Sequence, residues 1–412
     1  MSVFTSRNFA SCAAEGADWR EASKTVLEQL ETIRTEDDGF NFGFIYISDR
    51  LAEYAQSIIN LFRSVTHIEN WVGSVGMGIV GTGKAFVDVP AISIMIGRFP
   101  ENEFCVFPES KDHLSEMPIK GMQDWLEENT PMLVCVHADP MADEDPMPRM
   151  AELESLSGGF IVGGLTSSRS SHELFANGVC MDSIGGVIFS EKIPVATALS
   201  QGCRPFSPFR TVTSGDGTAI YELDGVSALR ALLQDLQKNS PEGEEMPIVG
   251  PLPDLRQIES SDDMPKPYLP LFRGEVHIAL PISQSDQNDY LVRNIMALDP
   301  GEESLSVSQS ITQGDSILFV ERNQEIIFDD LEKTLKSLIQ RVRNGNDRNE
   351  PQGAVYISCI ARGFSETGKA AQREMEIIRE AVGNIPLTGF YAGGEISNAR
   401  LYAYTGILIL FL

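Results

Sequence analysis

Short unbroken apolar runs alternate along this chain with stretches whose apolar residues recur at helical spacing. The stretch 17–33 has that spacing and predicts an N-terminal helix. The run 42–47 predicts the first buried strand, because an unbroken apolar run is typical of a strand covered on both faces. Strands and helices mixed in this way predict an α/β fold, with mixed sheets and covering helices.

A strand–helix–strand–strand unit of about 60 residues recurs three times. Each copy enters its second strand through a run of small residues: Trp71-Val-Gly-Ser-Val-Gly76, Gly159-Phe-Ile-Val-Gly-Gly164 and Gly389-Phe-Tyr-Ala-Gly-Gly394. The recurrence of this run at one place favours a true repeat over a chance similarity of apolar runs. The predicted elements are strands 44–47, 91–96, 132–136, 185–189, 354–358 and 405–411, and helices 51–65, 148–156 and 369–382.

The residues between the second and third copies do not follow the repeat. They predict a strand-like region 195–217, strands 276–280, 290–295 and 316–320, and helices 225–237 and 328–342. The stretch 239–270 is rich in Pro, Gly, Ser and acidic residues and has no periodicity. We therefore predict two domains, residues 1–240 and 241–412.

Composition narrows the classes of partner. The 412 residues include 59 acidic and 32 basic side chains, which give a formal net charge of -27. A chain this acidic repels phosphate backbones and anionic membrane surfaces, so we expect no nucleic-acid partner. No apolar run approaches the roughly 18 residues of a membrane helix. The N-terminus has no apolar signal region, so we expect a cytoplasmic protein without membrane insertion.

Familiar catalytic and metal motifs are missing from the sequence. The six cysteines are far apart and form no C-x-x-C pair, which predicts reduced thiols and no structural zinc. The string Gly76-Met-Gly-Ile-Val-Gly81 matches G-x-G-x-x-G but leads into a predicted strand, so we interpret its glycines as packing or turn residues. No Walker loop, G-x-S-x-G or H-E-x-x-H motif occurs.

A set of Arg, Cys, Gly and Glu residues next to strand ends is the candidate ligand site. Ligands of α/β sheets bind beyond the carboxyl ends of strands, where Arg362 can pair with a carboxylate and Glu395 with an ammonium group. Glycines there let the main chain approach a ligand. An intramolecular Arg–Glu pair that braces two strands is the alternative. The full set is Cys203, Arg204, Arg293, Asn294, Cys359, Arg362, Gly363, Tyr391, Gly393, Gly394 and Glu395.

The strings that carry these residues resemble the FIST family of sensory domains. The N-terminal half of the resemblance lies in Trp71–Gly76, Pro90–Ile94, Gly158–Gly164 and Gln201–Pro205. The C-terminal half lies in Arg293–Pro300, Ser358–Gly363 and Pro386–Ile396, where Ala392 replaces the first glycine of the family's G-G-G-E run. The resemblance implies a sensor of a small ligand, such as an amino acid, and supplies no reaction, so we expect binding without chemical turnover. It implies a separate signalling protein as the output partner, because the chain carries no output module.

Two alternatives remain open. The first is a haem-binding nitric-oxide sensor, with one of His67, His113, His137, His172 and His277 as the axial ligand. The second is an enzyme whose nucleophile is Cys203 or Cys359, activated by Arg204 or Arg362. We expect no cofactor in the favoured interpretation.

Overall fold

The computed structural model describes residues 3–34, 39–108, 120–181, 184–239, 269–282, 289–345, 350–363 and 368–412. Contacts divide the chain into two compact units, residues 1–201 with 328–412, and residues 202–327. The first unit therefore takes residues from both predicted domains. The predicted boundary near residue 240 adjoins 240–268, which lie outside the described residues, so it stays a prediction.

The first copy of the repeat is longer than the sequence pattern predicts, because a strand and a helix precede its first predicted strand. That helix begins where the Asp18 carboxylate accepts hydrogen bonds from the backbone N–H groups of Arg20 and Glu21, at 2.8 and 3.0 Å. A 3₁₀-helix (Asp49–Tyr54) lies between β3 and α2. The elements are β1 (Phe4–Thr5), β2 (Phe9–Glu15), α1 (Trp19–Glu31), β3 (Phe42–Ser48), α2 (Ala55–Thr66), β4 (Asn70–Gly76), β5 (Gly78–Gly81), β6 (Lys84–Val87) and β7 (Ala91–Gly97).

The second copy has the same order of elements. Its second helix begins at an Asp145 cap followed by Pro146 and ends at Gly158, which has the left-handed conformation that favours glycine. The elements are β8 (Phe104–Pro108), α3 (Lys120–Glu128), β9 (Pro131–Ala138), α4 (Pro146–Ser157), β10 (Phe160–Leu165), β11 (Leu174–Ala176), β12 (Val179–Cys180) and β13 (Ile184–Ser190).

The third copy is interrupted by the second unit. Its first strand is β14 (Val195–Ser200), after which the chain enters residues 202–327. The elements of that unit are β15 (Arg204–Pro205), β16 (Arg210–Asp216), β17 (Ala219–Leu223), β18 (Val226–Ser227), α5 (Ala228–Asn239), α6 (Leu269–Phe272), β19 (Val276–Pro281), β20 (Tyr290–Asp299), β21 (Ser304–Val307) and β22 (Ser316–Glu321). Its strands pair in the order β22-β16-β17-β21-β20-β19, and β19 also pairs with β22, which closes the sheet into a ring.

The chain re-enters the first unit within the next helix and completes the third copy. The remaining elements are α7 (Gln324–Asn344), β23 (Gly353–Cys359), α8 (Ile360–Gly363), α9 (Lys369–Val382), β24 (Leu387–Ala392), β25 (Gly394–Ser397), β26 (Arg400–Tyr402) and β27 (Gly406–Phe411). The second unit is thus an insertion between the first strand and the first helix of the third copy.

The three copies build three sheets of the same strand order and exchange hairpins. The core orders are β2-β7-β3-β4, β8-β13-β9-β10 and β14-β27-β23-β24, and in each sheet the last two strands are parallel. Hairpin β5–β6 of the first copy extends the sheet of the third, β25–β26 of the third extends that of the second, and β11–β12 of the second extends that of the first. The last two strands of each sheet therefore come from a different copy of the repeat.

Each sheet of the first unit has one face in a shared core and one face under its own helices. The shared core takes residues from all three sheets, including Phe44, Cys135 and Val355. The opposite faces pack on α1 and α2, on α3 and α4, and on α7 and α9. We call these the shared core and the helix-covered faces.

One glycine per copy lets the two parallel strands approach. Gly73 lies opposite Ile45, Gly163 opposite Val136 and Gly389 opposite Tyr356. A β-carbon at these glycines would lie 1.6, 1.8 and 1.8 Å from the carbonyl oxygen of the opposite residue. The recurring small-residue run thus has a structural reason, and its glycines place equivalent positions of the three copies in register.

The predicted fold class and the threefold repeat are confirmed. The predicted helices appear as α1, α2, α4, α5, α7 and α9, with bounds shifted by a few residues. The string Gly76–Gly81 leads from β4 into β5 rather than into a helix, as the packing interpretation predicts. The predicted copy length of about 60 residues is too short, since Phe9–Gly97 forms the whole first copy. The sequence pattern counted each copy from its second strand, so it left β2 and α1 out of the first copy and missed β8 and α3 of the second.

Candidate functional site

Arg362 lies directly after β23, in the short helix α8, and is buried on the helix-covered face of the third sheet. Its Nε atom donates to Glu374 Oε1 of α9 at 2.8 Å, and neither side chain has any exposed surface. Burial opposes the charge on the guanidinium, but the Glu374 carboxylate and its neighbours raise the pKa of Arg362 on balance. Arg362 therefore forms an intramolecular ion pair, with Glu374 rather than with Glu395.

The Glu374 carboxylate collects three hydroxyl donors in addition to the guanidinium. Tyr356 donates to Oε1 at 3.1 Å, Ser358 to Oε2 at 3.1 Å and Tyr391 to Oε2 at 3.3 Å. Burial, and then the Glu374 charge, raise the pKa values of both tyrosines, so both keep their protons. Both oxygens of the Glu374 carboxylate therefore accept hydrogen bonds from other side chains.

The other end of the guanidinium makes longer contacts. Its Nη2 atom donates to Ser200 Oγ at 3.2 Å, and Nη1 donates to the carbonyl oxygens of Ser200 and Tyr404 at 3.4 and 3.3 Å. Ser200 in turn donates from Oγ to Asp330 Oδ2 in α7 at 2.6 Å. Arg362 thereby joins the end of β14 to α7 through Ser200.

Glu395 is a second buried acid, in β25, at the edge of the shared core. Its Oε2 atom accepts hydrogen bonds from the Thr405 backbone N–H at 3.0 Å and from Thr405 Oγ1 at 2.8 Å. Its Oε1 atom is buried and has no hydrogen-bond partner within the described part of the chain. Burial raises the pKa of Glu395 to about 8, against the effect of hydrogen bonds from Thr405 and the Cys359 thiol. The carboxyl is therefore protonated at neutral pH.

Tyr404 and Thr405 connect the surroundings of Arg362 with those of Glu395. The Tyr404 carbonyl accepts from Arg362, and the next residue, Thr405, donates to Glu395. Tyr404 has a φ of 69°, a left-handed conformation that costs free energy for a residue with a bulky side chain. We call Arg362, Glu374, Glu395, Tyr404 and Thr405, with Ser200 and Cys359, the polar centre of the third copy.

Four polar side chains in or next to the polar centre occupy positions that are apolar in the other two copies. Alignment of the three copies on Gly73, Gly163 and Gly389 defines equivalent positions. Tyr356 corresponds to Ile45 and Val136, and Ser358 corresponds to Ile47 and Ala138. Tyr391 corresponds to Val75 and Leu165. Glu395, opposite Gly164, is likewise equivalent to Ile79, opposite Phe390, and Leu174, opposite Ser74. The fold therefore forms twice without these polar groups.

The predicted glycines contact protein groups rather than open space. A β-carbon at Gly363 would lie 2.2 Å from the Tyr391 ring, and one at Gly393 would lie 2.9 Å from the Thr166 carbonyl oxygen. One at Gly394 would lie 2.8 Å from Leu401. These glycines allow close packing around the polar centre, and Cys359 is buried beside them.

The other four predicted residues belong to the second unit. The Cys203 thiol is 3.7 Å from the Tyr290 hydroxyl. Arg204 is largely exposed and pairs with Glu321 at 3.1 Å. Arg293 donates to Gln309 Oε1 at 2.6 Å, and burial lowers its pKa. Asn294 pairs with His277 across β19 and β20. These residues thus lie outside the unit that contains the polar centre.

His137 is one of the five candidate axial ligands of haem. His137 is fully buried, its Nε2 atom is 3.1 Å from the Tyr46 hydroxyl, and burial lowers its pKa to about 3. Its ring centroid lies 5.5 Å from that of Tyr46 and 5.7 Å from that of Phe390. Two aromatic rings therefore pack near the His137 ring.

Three of the other four histidines lie in the described residues. His67 is the left-handed C-cap of α2, and His172 Nδ1 is 2.6 Å from Thr166 Oγ1. His277 is buried in β19, where burial and then Arg322 lower its pKa to about 4. His113 lies outside the described residues. Haem binding therefore stays an untested prediction.

A surface cavity of about 470 Å³ lies elsewhere, between α7 and α9. Its walls include Glu332, Lys336, Ile339, Arg343 and Ile377, and none of the residues predicted from the sequence. In the described ranges, no three His, Cys, Asp or Glu side chains group as metal ligands. No helix there is long and apolar enough to cross a membrane.

Sequence reasoning missed Glu374, Ser200, Tyr404 and Thr405. Glu374 had a detectable signal, because Ala371, Met375 and Ile378 form the buried stripe of α9 and Glu374 lies within that stripe. An acid on a buried helix face needs a buried partner. Ser200, Tyr404 and Thr405 contribute through backbone placement, which no sequence pattern reveals.

Comparison with known proteins agrees with these motifs. The FIST N domain matches residues 41–226 and the FIST C domain matches residues 258–398. An uncharacterized protein of Mycobacterium tuberculosis is 26% identical over 267 residues, which cover 62% of this chain and 62% of that protein. One of Mycobacterium bovis is 28% identical over 270 residues, covering 62% of this chain and 61% of that protein. The chain thus aligns with less than two thirds of these relatives, and on its two matched domains it belongs to the FIST family.

Proposed function

We propose that this protein is a cytoplasmic sensor that binds a small polar metabolite at the polar centre and passes its occupancy to a separate output protein. FIST domains are associated with small-ligand sensory signal transduction. The proposal adds to that association a site, a ligand class and a role without chemical turnover.

The observation that carries the proposal is the unpartnered Oε1 atom of Glu395. A buried polar atom without a hydrogen bond costs about 1–3 kcal/mol, so it needs a reason. The equivalent positions Ile79 and Leu174 show that the fold does not need an acid here. Because Oε2 accepts both Thr405 bonds, Oε1 carries the proton of the neutral carboxyl, and it becomes an acceptor for a donating ligand once that proton leaves.

The chemistry of the centre favours a ligand with both an ammonium and a carboxylate group. Glu395 loses its proton when an ammonium group binds, because a nearby positive charge lowers the pKa of a carboxyl. The long contacts of the Arg362 Nη atoms, at 3.2 to 3.4 Å, are the ones that a ligand carboxylate would replace, while the 2.8 Å bond to Glu374 remains. An amino acid carries both groups on one carbon.

A thermal-shift panel tests the proposal on the full chain. The probes are L-amino acids, the amines that lack their carboxylates and the carboxylic acids that lack their amines. We expect at least one amino acid to raise the melting temperature of the wild type, since a ligand of the native state stabilises it. Glu395→Gln keeps the size of the side chain but cannot become a carboxylate. We expect this variant to abolish the shift.

Glu173→Gln is the matched control. Glu173 is also a buried acid with one unpartnered oxygen, Oε2, and it lies outside the polar centre. We expect this variant to keep the ligand-induced shift. No shift with any probe, or equal loss in both variants, contradicts the proposal.

A further inference from the structure

The chain leaves the first unit after Gln201 and re-enters it at Phe328. Ser200 is the last residue of β14, immediately before the exit, and Asp330 lies in α7, two residues after the return. The second unit is therefore attached covalently through two crossings, and a side chain next to one crossing is bonded to a side chain next to the other.

Arg362 holds this link from the first unit. Ser200 Oγ donates to Asp330 Oδ2 at 2.6 Å and accepts from Arg362 Nη2 at 3.2 Å, and the Ser200 carbonyl accepts from Nη1. The Asp330 charge also contributes to the raised pKa of Arg362. The guanidinium, the serine and the aspartate thus form one hydrogen-bonded chain from α8 across the exit to the return helix.

The polarity of this chain sets its response to an anion. The Ser200 hydroxyl donates its one hydrogen bond to Asp330. Its Oγ atom can therefore only accept the hydrogen bond from the guanidinium. A carboxylate is a stronger acceptor for a guanidinium than a hydroxyl or a carbonyl, because charge-assisted hydrogen bonds are about twice as strong as neutral ones. A bound carboxylate therefore competes directly with the two Ser200 contacts.

We propose that the Arg362–Ser200–Asp330 chain is the coupling device of this sensor: a carboxylate ligand that takes the Nη atoms of Arg362 releases Ser200 and loosens both crossings of the inserted unit. This inference rests on the proposed function, since it names how occupancy of the same centre reaches the rest of the chain. It also assigns Ser200 and Asp330 as positioning residues, which act through Arg362 and touch no ligand.

Hydrogen exchange of backbone amides tests the coupling in the full chain. In Asp330→Asn, we expect exchange in the segments 195–201 and 324–335 to rise together by about tenfold, as for the loss of one charge-assisted hydrogen bond. Asp329→Asn is the matched control, since Asp329 is the neighbouring acid of α7 and is exposed. We expect it to leave both segments unchanged. A rise in only one segment, or in neither, overturns the link between the crossings.

The same hydrogen-exchange experiment is repeated with a ligand. The probe is the amino acid that stabilises the wild type in the thermal-shift panel, or sodium acetate when none does. We expect the saturating probe to raise exchange in both segments of the wild type, and to add nothing in Asp330→Asn or Ser200→Ala, where the link is already open. A probe that stabilises the protein but leaves both segments unchanged overturns the coupling and leaves the proposed function standing. If no amino acid stabilises the protein, the proposed function fails, and an unchanged exchange with acetate overturns the coupling as well.

Discussion

The third copy of the repeat differs from the first two on the face that its helices cover. In the first copy, Ile45, Ile47 and Val75 pack with apolar residues of α1 and α2. In the second, Val136, Ala138 and Leu165 do the same with α3 and α4. The third has Tyr356, Ser358 and Tyr391 at those positions, around a buried Arg362–Glu374 pair.

This difference separates the needs of the fold from those of the polar centre. Strand order, glycine contacts and hairpin exchange are the same in all three copies. Buried ion pairs are weak evidence for stability, because the cost of removing charges from water offsets their attraction. A pair that two equivalent faces do without is therefore better explained by a function than by folding.

Removal of Glu374 alone has the largest expected effect on the free energy of unfolding. Glu374→Met leaves the buried Arg362 without its carboxylate, and we expect a loss of about 3–5 kcal/mol in the free energy of unfolding. The double variant Arg362→Met with Glu374→Met makes the third face apolar like the others, and we expect it to recover most of that loss. Urea unfolding measures both. A double variant no more stable than Glu374→Met would show that the pair is needed for the fold.

The glycine contacts test the shared part of the plan. Gly163→Ala or Gly389→Ala places a β-carbon 1.8 Å from a carbonyl oxygen, so the parallel strands must separate, and we expect a loss of about 3 kcal/mol for each. Gly178→Ala is the control, because no atom lies within 4 Å of its β-carbon position. Thermal unfolding measures the three variants. If only one of the two core variants loses stability, the copies are not built on one plan.

The pH dependence of stability tests the raised pKa of Glu395, whose equivalents in the other copies are apolar. Its pKa is about 8 in the folded chain against 4.5 when exposed, so the folded state holds a proton that the unfolded state has released between those values. Stability attributed to this group therefore falls as pH rises through that window, by about 1.4 kcal/mol for each pH unit. The difference in unfolding free energy between the wild type and Glu395→Gln, measured from about pH 5 to pH 8, isolates this slope. A difference that does not change with pH contradicts the raised pKa.

The smallest effect concerns Arg204, a residue with the same predicted role as Arg362. Arg204 is largely exposed and pairs with Glu321. Surface ion pairs contribute little, so we expect Arg204→Ala to lower the free energy of unfolding by about 0.5 kcal/mol or less. Urea unfolding of Arg204→Ala and of Arg362→Ala measures the two losses of unfolding free energy. Equal losses in the two variants would contradict the contrast between an exposed and a buried arginine.

The sequence was sufficient for the fold class and for the repeat, because buried strands and glycine-dependent contacts leave local patterns. It also indicated Arg362 and Glu395, since both follow strands at the edge where ligands of α/β sheets bind. It could not show that Arg362 pairs with Glu374, since the two are joined only when α9 packs on β23. Nor could it show the exchange of hairpins or the insertion, which depend on pairings between distant segments such as β5 with β24.

The state of the Glu395 carboxyl is the most direct test of the central claim that the third copy keeps a protonated acid with a free oxygen in its polar centre. Infrared difference spectra of the full chain, recorded on either side of about pH 8, report protonated carboxylic acids by their C=O band. The account predicts a band in the wild type that disappears as the pH rises and is missing from Glu395→Gln. A wild-type spectrum without that band at neutral pH, with the carboxyl already ionised, would contradict it.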